Sequence, residues 1–219
     1  MERRILIPAI LAGFIILGLA GSAPVLADNQ KAIEYYNNGV ELAYQGDYDQ
    51  ALEQIDLALA ENQNFTLALT TKAGILNSLG RYQEALTTSD EAIAQNQSLP
   101  YAWVNKATAL INLGQPDAAL TASEQAIAID PTIPEAWVDK GSALLDLGRY
   151  QESVQASRQA LQLDPNSREA LANYQAAQVM ISGGSQPTPS ATSAPLSPLG
   201  GIAALGLAGA AILRMRRTG

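Results

Sequence analysis

The sequence predicts an all-α superhelix of four helix-turn-helix repeats closed by one further helix, and three observations carry that prediction. The chain matches itself every 34 residues without insertion, from Ala32, Thr66, Pro100 and Pro134. Leucine holds the eleventh position of every unit (Leu42, Leu76, Leu110, Leu144), and glycine the fifteenth (Gly46, Gly80, Gly114, Gly148). Small residues recur at the eighth position (Gly39, Ala73, Ala107, Gly141), the twentieth (Ala51, Ala85, Ala119, Ser153) and the twenty-seventh (Ala58, Ala92, Ala126, Ala160).

Within each unit, positions four, eight and eleven share one face of a first helix, and positions twenty and twenty-seven share one face of a second. Small residues there let the two helices approach closely. The large residue at position four (Tyr35, Leu69, Trp103, Trp137) fills the space beside them. Glycine at position fifteen supplies the left-handed conformation that ends the first helix. Tyr48, Tyr82, Pro116 and Tyr150 follow two residues later, and Pro131 and Pro165 stand where the second helix must stop. Gln63 and Gln97 replace that proline in the first two units.

This pattern resembles the tetratricopeptide repeat (TPR) from Ala32 to about Ile181. The resemblance implies a TPR superhelix, with repeats at 32–65, 66–99, 100–133 and 134–167 and a capping helix at 168–181, inside a domain at 28–181. One departure concerns position 24, where the family usually has an aromatic and this chain has Ile55, Ser89, Ser123 and Ser157. Packing there is expected to be altered.

Both ends are apolar in ways a soluble core does not require. Residues 1–27 read as a secretory signal peptide: Arg3 and Arg4, an uncharged run from Ile5, and small residues at Val25 and Ala27 before Asp28. An uncleaved anchor is the competing reading, because the uncharged stretch reaches Ala27; Pro24 and the Val-Leu-Ala ending favour cleavage. Residues 182–198 form a Gly/Ser/Thr/Pro-rich stalk that cannot fold alone. Residues 199–213 are an apolar span of marginal length, and the basic tail 214–219 (Arg214, Arg216, Arg217) is expected to stay cytoplasmic. The tail resembles the sorting signals that surface-anchoring transpeptidases process, without their Leu-Pro-x-Thr-Gly motif, so a plain tail anchor stands beside it. Both ends agree on an exported protein, membrane-anchored at the cell surface, with its repeats extracytoplasmic.

Composition excludes several functions. From Asp28 to Ile181 there are 8 basic and 20 acidic residues, a net charge of −12 that repels nucleic acid and anionic lipid. The 219 residues include no Cys and no His, which removes the thiolate nucleophile, the commonest general base and most transition-metal ligands. The acids share no short spacing suited to paired catalysis or calcium, and no glycine-rich phosphate loop appears. The expectation is a binding scaffold with no enzymatic activity, cofactor or metal.

The TPR resemblance places groove-facing side chains at positions 2, 5, 6, 9, 12 and 13 of the first helices. Those singled out are Tyr36, Asn37, Tyr44, Thr71, Asn77, Tyr101, Asn105, Asn112, Asp139 and Asp146, with Ile33, Thr70 and Glu135 beside them. No cation is among them, so the carboxylate clamp of chaperone-binding members is not expected. At position six, Asn37 and Asn105 alternate with Thr71 and Asp139, which predicts an incomplete amide ladder reading peptide main chain. Replacing both Asn residues is expected to weaken binding without lowering stability; the bland alternative is a set of solvated surface amides. Glu135, Asp139 and Asp146 favour a protein or peptide partner with a basic segment. Trp103 and Trp137 read as packing residues, and Lys72, Lys106 and Lys140 as paired or solvated. Asn64-Phe65-Thr66 and Asn96-Gln97-Ser98 are N-glycosylation sequons in exposed turns, although such triplets also arise by chance. A structural spacer or assembly component of the cell envelope, with no dedicated peptide, is the alternative function.

Overall fold

A computed structural model describes residues 22–183, and within them the chain is helical throughout, joined by short turns. The basic start and most of the apolar run of the signal sequence lie outside the described residues, as do most of the stalk, the 199–213 segment and the basic tail. Helices α1 (Ser22–Gln45) and α2 (Tyr48–Glu61) form the first hairpin, and α3 (Thr66–Ser78) and α4 (Tyr82–Gln95) the second. Helices α5 (Pro100–Asn112) and α6 (Pro116–Ile129) form the third, α7 (Pro134–Asp146) and α8 (Tyr150–Leu163) the fourth, and α9 (Arg168–Ile181) follows alone. The all-α solenoid read from the sequence is the observed fold. Helix α1 begins well before Ala32, so the cleavage point expected between Ala27 and Asp28 falls inside it. No helix among the described residues is long and apolar enough to cross a membrane.

Each hairpin turns at its position-fifteen glycine, with φ of +83° at Gly46, +73° at Gly80, +70° at Gly114 and +71° at Gly148. The N–H that follows each glycine donates back to the carbonyl of the position-eleven leucine: Asp47 to Leu42 at 3.0 Å, Arg81 to Leu76 at 2.8 Å, Gln115 to Leu110 at 2.9 Å and Arg149 to Leu144 at 2.8 Å. That leucine thus packs inward through its side chain while its carbonyl closes the helix end. The second helices stop at Asn62, Asn96, Asp130 and Asp164, all extended. Each of these side chains accepts the backbone N–H two residues on, at 2.9–3.1 Å. The linker between repeats is therefore an Asx turn built four times over.

The small residues at positions twenty and twenty-seven are all fully buried. Positions eight and twenty-four face each other across the first and fourth hairpins. Ile55 lies against Gly39, where an added Cβ would meet its Cδ1 at 2.8 Å and the Ala51 carbonyl oxygen at 3.1 Å. In the fourth repeat Gly141 opposes Ser157, and the same register pairs Ala73 with Ser89 and Ala107 with Ser123 in the middle repeats. Serine stands in place of the family's aromatic in these three repeats, and all three serines are fully buried. Gly39→Ala should cost about 1–2 kcal/mol through overpacking. Combined with Ile55→Ser, which recreates the Ala/Ser pairing, it should cost less than the two changes summed; a double-mutant cycle from urea unfolding measures the coupling.

First helices of successive repeats also touch one another directly (α1 with α3, α3 with α5, α5 with α7, α7 with α9), whereas the second helices make no comparable contact with each other. The stack consequently bends with α1, α3, α5, α7 and α9 on its inner wall. Helix α9 keeps the 34-residue register, but where a second helix of its own would pack it carries Gln175 and Gln178, both exposed, in place of the small residue and the leucine. Those glutamines solvate the last face and close the array. Leu171, Val179 and Ile181 remain exposed around them.

Candidate functional site

The inner wall is built from positions five and six, which sit at the seams between adjacent first helices. Tyr36 is fully buried, its ring 5.0 Å from that of Phe65, and Thr71 Oγ1 lies 3.5 Å from its hydroxyl. Asn105, with 1% of its surface exposed, donates through Nδ2 to the Thr70 carbonyl at 2.9 Å. Asn77 Nδ2 donates forward to the Asn105 carbonyl at 2.9 Å, while its Oδ1 is buried without a partner. Thr108 donates to Asp139 Oδ2 at 3.0 Å. On α9, Asn173 Nδ2 donates to Ser142 Oγ at 2.8 Å and reaches the Val138 carbonyl at 3.3 Å.

These bonds revise the amide ladder. The position-six side chains do recur from repeat to repeat, but Thr71, Asn105, Asp139 and Asn173 reach back to the preceding repeat and tie the seams. Asn105 spends its amide on the scaffold, because small residues at positions eight, twenty and twenty-seven bring neighbouring helices close enough for a side chain to span them. Tyr36, Thr71, Asn77, Asn105 and Asp139 are accordingly buried, and Asn37 is half-buried. Tyr44, Asn112 and Asp146 are exposed, and Tyr101 and Glu135 half-exposed. Asn112 Nδ2 folds back onto the Thr108 carbonyl at 2.8 Å. Sequence reasoning missed Thr108, Ser142 and Asn173, although continuing the 34-residue period from Asp139 leads directly to Asn173.

Electrostatics divide the wall along its length. Burial, with a smaller contribution from Asp164, raises the Glu135 carboxyl above its ordinary value, and burial also raises Asp146. Asp139 is pushed up to about 8, first by burial and also by Glu135, against the lowering effect of the Thr108 bond. The charge expected from Asp139 is therefore mostly absent at neutral pH, and the acidic character of this end comes from Glu135 and Asp146. Tyr101 is raised by burial, then by Glu135 and Asp130, with Tyr44 adding a little. The opposite end offers Ile33 and Tyr44, each more than two-fifths exposed.

The outer surface carries a second regular pattern. Lys72 pairs with Asp56 at 2.7 Å, Lys106 with Asp90 at 2.6 Å and Lys140 with Glu124 at 2.9 Å, each joining a first helix to the second helix of the repeat before it. Lys106 and Lys140 also lie over the rings of Trp103 and Trp137, at 5.6 and 6.0 Å from the centroids. Each indole N–H is bonded to a turn carbonyl, Gln97 or Pro131, at 2.9 Å. The tryptophans are packing residues and the lysines are paired. The last rung exchanges its partners: Arg158 stands at the acid's place, with its guanidinium 5.5 Å from the ring of Tyr174, which stands at the lysine's. Both sequon residues, Asn64 and Asn96, are exposed, and Asn96 Oδ1 is engaged by the Ser98 N–H.

A curved stack of helical hairpins with an open inner wall is an interaction scaffold in form; among the described residues no cluster of His, Cys, Asp or Glu is suited to a metal. The tetratricopeptide-repeat family model matches residues 28–100 and 104–168, and the chain belongs to that family. Its fold is a non-enzymatic scaffold that generally mediates protein or peptide binding. Among solved structures, TTC0263, a thermophilic TPR protein of Thermus thermophilus, is 22% identical with a TM-score of 0.61, over 68% of this chain and 82% of that one. MamA 41-end from Desulfovibrio magneticus RS-1 is 21% identical with a TM-score of 0.56, over 70% and 92%. The first TPR of Spaghetti (RPAP3), bound to the HSP90 peptide SRMEEVD, is 22% identical with a TM-score of 0.51, over 53% and 93%. No curated protein matches the chain.

Proposed function

We propose that the chain is an exported, membrane-anchored scaffold whose inner wall binds an extended peptide of a protein partner, with a Lys or Arg of that peptide seated at the α7 end. The observation that carries this reading is the placement of Glu135 and Asp146, two carboxyls raised by burial, on the wall that also presents Tyr44 and Tyr101. A bound ammonium or guanidinium at either carboxylate would offset its partial burial, and Tyr101 supplies flat apolar surface near Glu135. The peptide in the Spaghetti complex ends in Glu-Glu-Val-Asp; such an end would be repelled here, which supports a different ligand on a shared fold.

The anchored, extracytoplasmic placement is supported by the Arg3-Arg4 start, the Val25-Leu26-Ala27 ending and the apolar span with its Arg214, Arg216 and Arg217 stop. A photo-cross-linking residue at position 101 in the native membrane should capture a partner that one placed at Glu91, on outer helix α4, does not. Equal capture from both positions would remove the inner wall as the site. N-terminal sequencing of the same material should begin at Asp28, whereas a start at Met1 would leave an uncleaved anchor.

A further inference from the structure

The seam between the third and fourth repeats departs from its neighbours in one chemical respect. Asn105 donates to the Thr70 carbonyl and Asn173 to the Val138 carbonyl, each 35 residues back in sequence. Counted back by the same 35 residues, Asp139 leads to the Val104 carbonyl, and the Asp139 Oδ2 already spans the seam to the Thr108 hydroxyl at 3.0 Å. The neighbouring hydroxyl keeps register too: Thr108 meets Asp139 as Ser142 meets Asn173, each pair 31 residues apart. An amide N–H can bond the second lone pair of a helix carbonyl, but an ionised carboxylate confronts that lone pair with another acceptor, and Asp139 is only 8% exposed.

We propose that Asp139 is a proton-operated tie between the third and fourth repeats: its carboxyl is held neutral, one oxygen accepts the Thr108 O–H while its own O–H donates to the Val104 carbonyl, as the Asn105 and Asn173 amides do at their seams, and loss of that proton to solvent base loosens the α5–α7 seam beneath the inner wall. The surroundings favour the neutral form. On α5, Lys106 is paired outward with Asp90 and Tyr101 is a neutral phenol; on α6, Glu124 is tied to Lys140. On α8, Glu152 is tied to Arg149, and on α9 the residue in register, Asn173, is an uncharged amide bonded to Ser142. Among the described residues only Glu135 acts on Asp139 through its charge, and it raises the carboxyl further. Among the described residues no cation stands where it would stabilise an ionised Asp139.

The sign of the pH dependence follows. An ordinary Asp gives up its proton near 3.8, and folded Asp139 keeps its own to about 8, so unfolding releases a proton across that window. Stability therefore falls as pH rises from about 4 to about 8 and levels off above. The tie is independent of whether the wall binds a peptide, and the two readings fail separately.

Thermal unfolding of the full chain from pH 5 to pH 9, followed by circular dichroism, compares wild type with Asp139→Asn. Relative to wild type, the Asn variant should gain steadily from pH 5 to about pH 8 and stand several degrees higher at pH 9. The carboxyl carbon of Asp139 in the wild type, followed by NMR, should titrate between pH 7 and pH 9. Melting profiles that run parallel across the range, or a carboxyl midpoint near pH 4, would overturn the proposal.

Discussion

Leu144→Ala should destabilise the repeat domain by about 2–5 kcal/mol, the cost of removing a fully buried leucine from a packed core. Leu144 fills the core between the third and fourth repeats, together with Leu110, Leu120 and Ala143. Its backbone carbonyl also caps α7 through the Arg149 N–H at 2.8 Å. Alanine retains the carbonyl, so the hairpin turn should survive while the seam weakens. In a stack where each repeat contacts its neighbours, the loss should be felt first at the C-terminal end. Hydrogen exchange should show α7, α8 and α9 losing protection before α3 and α4. Uniform loss along the whole stack would mean that the repeats behave as one cooperative block.

Asn105→Ala should cost about 1–3 kcal/mol, because it removes a buried hydrogen bond to the second lone pair of the Thr70 carbonyl and leaves a gap in the sealed seam. Asn112→Ala, at an exposed site, should stay within about 0.5 kcal/mol of wild type. Chemical denaturation of the two variants distinguishes a seam residue from a surface one. This reverses the expectation that position-six amides could be removed without loss of stability. An Asn105 variant as stable as wild type would show that its hydrogen bond is replaced by water.

The fold was legible because its determinants are local and repeated. Leucine at eleven, glycine at fifteen and small residues at eight, twenty and twenty-seven recur four times, so a chance match in one unit is corrected by the other three. The opposition of positions eight and twenty-four is a packing complement between two helices, and only Ile55 with Gly39 hints at it in sequence. The candidate site was read less completely. Which side chains lie on the inner wall follows from the repeat, but whether they face solvent or the next helix depends on how closely the helices approach. Asn105 and Asn112 are the same residue type seven positions apart, yet one is sealed in a seam and the other is exposed. Asp139 reads as one more acid in an acidic domain until its neighbours show a carbonyl and no cation. Thr108 carries no signal of its own and gains a role only through Asp139.

Selection of linear peptides from a random displayed library against the full chain tests the central claim most directly. The selected peptides should carry Lys or Arg at one end and aromatic or apolar residues beside it, and their binding should weaken by about tenfold or more in a Glu135→Gln/Asp146→Asn double variant, the loss given by removing a charged hydrogen-bonding pair. Selection of acidic peptides, or basic ones that bind the double variant equally well, would contradict the account.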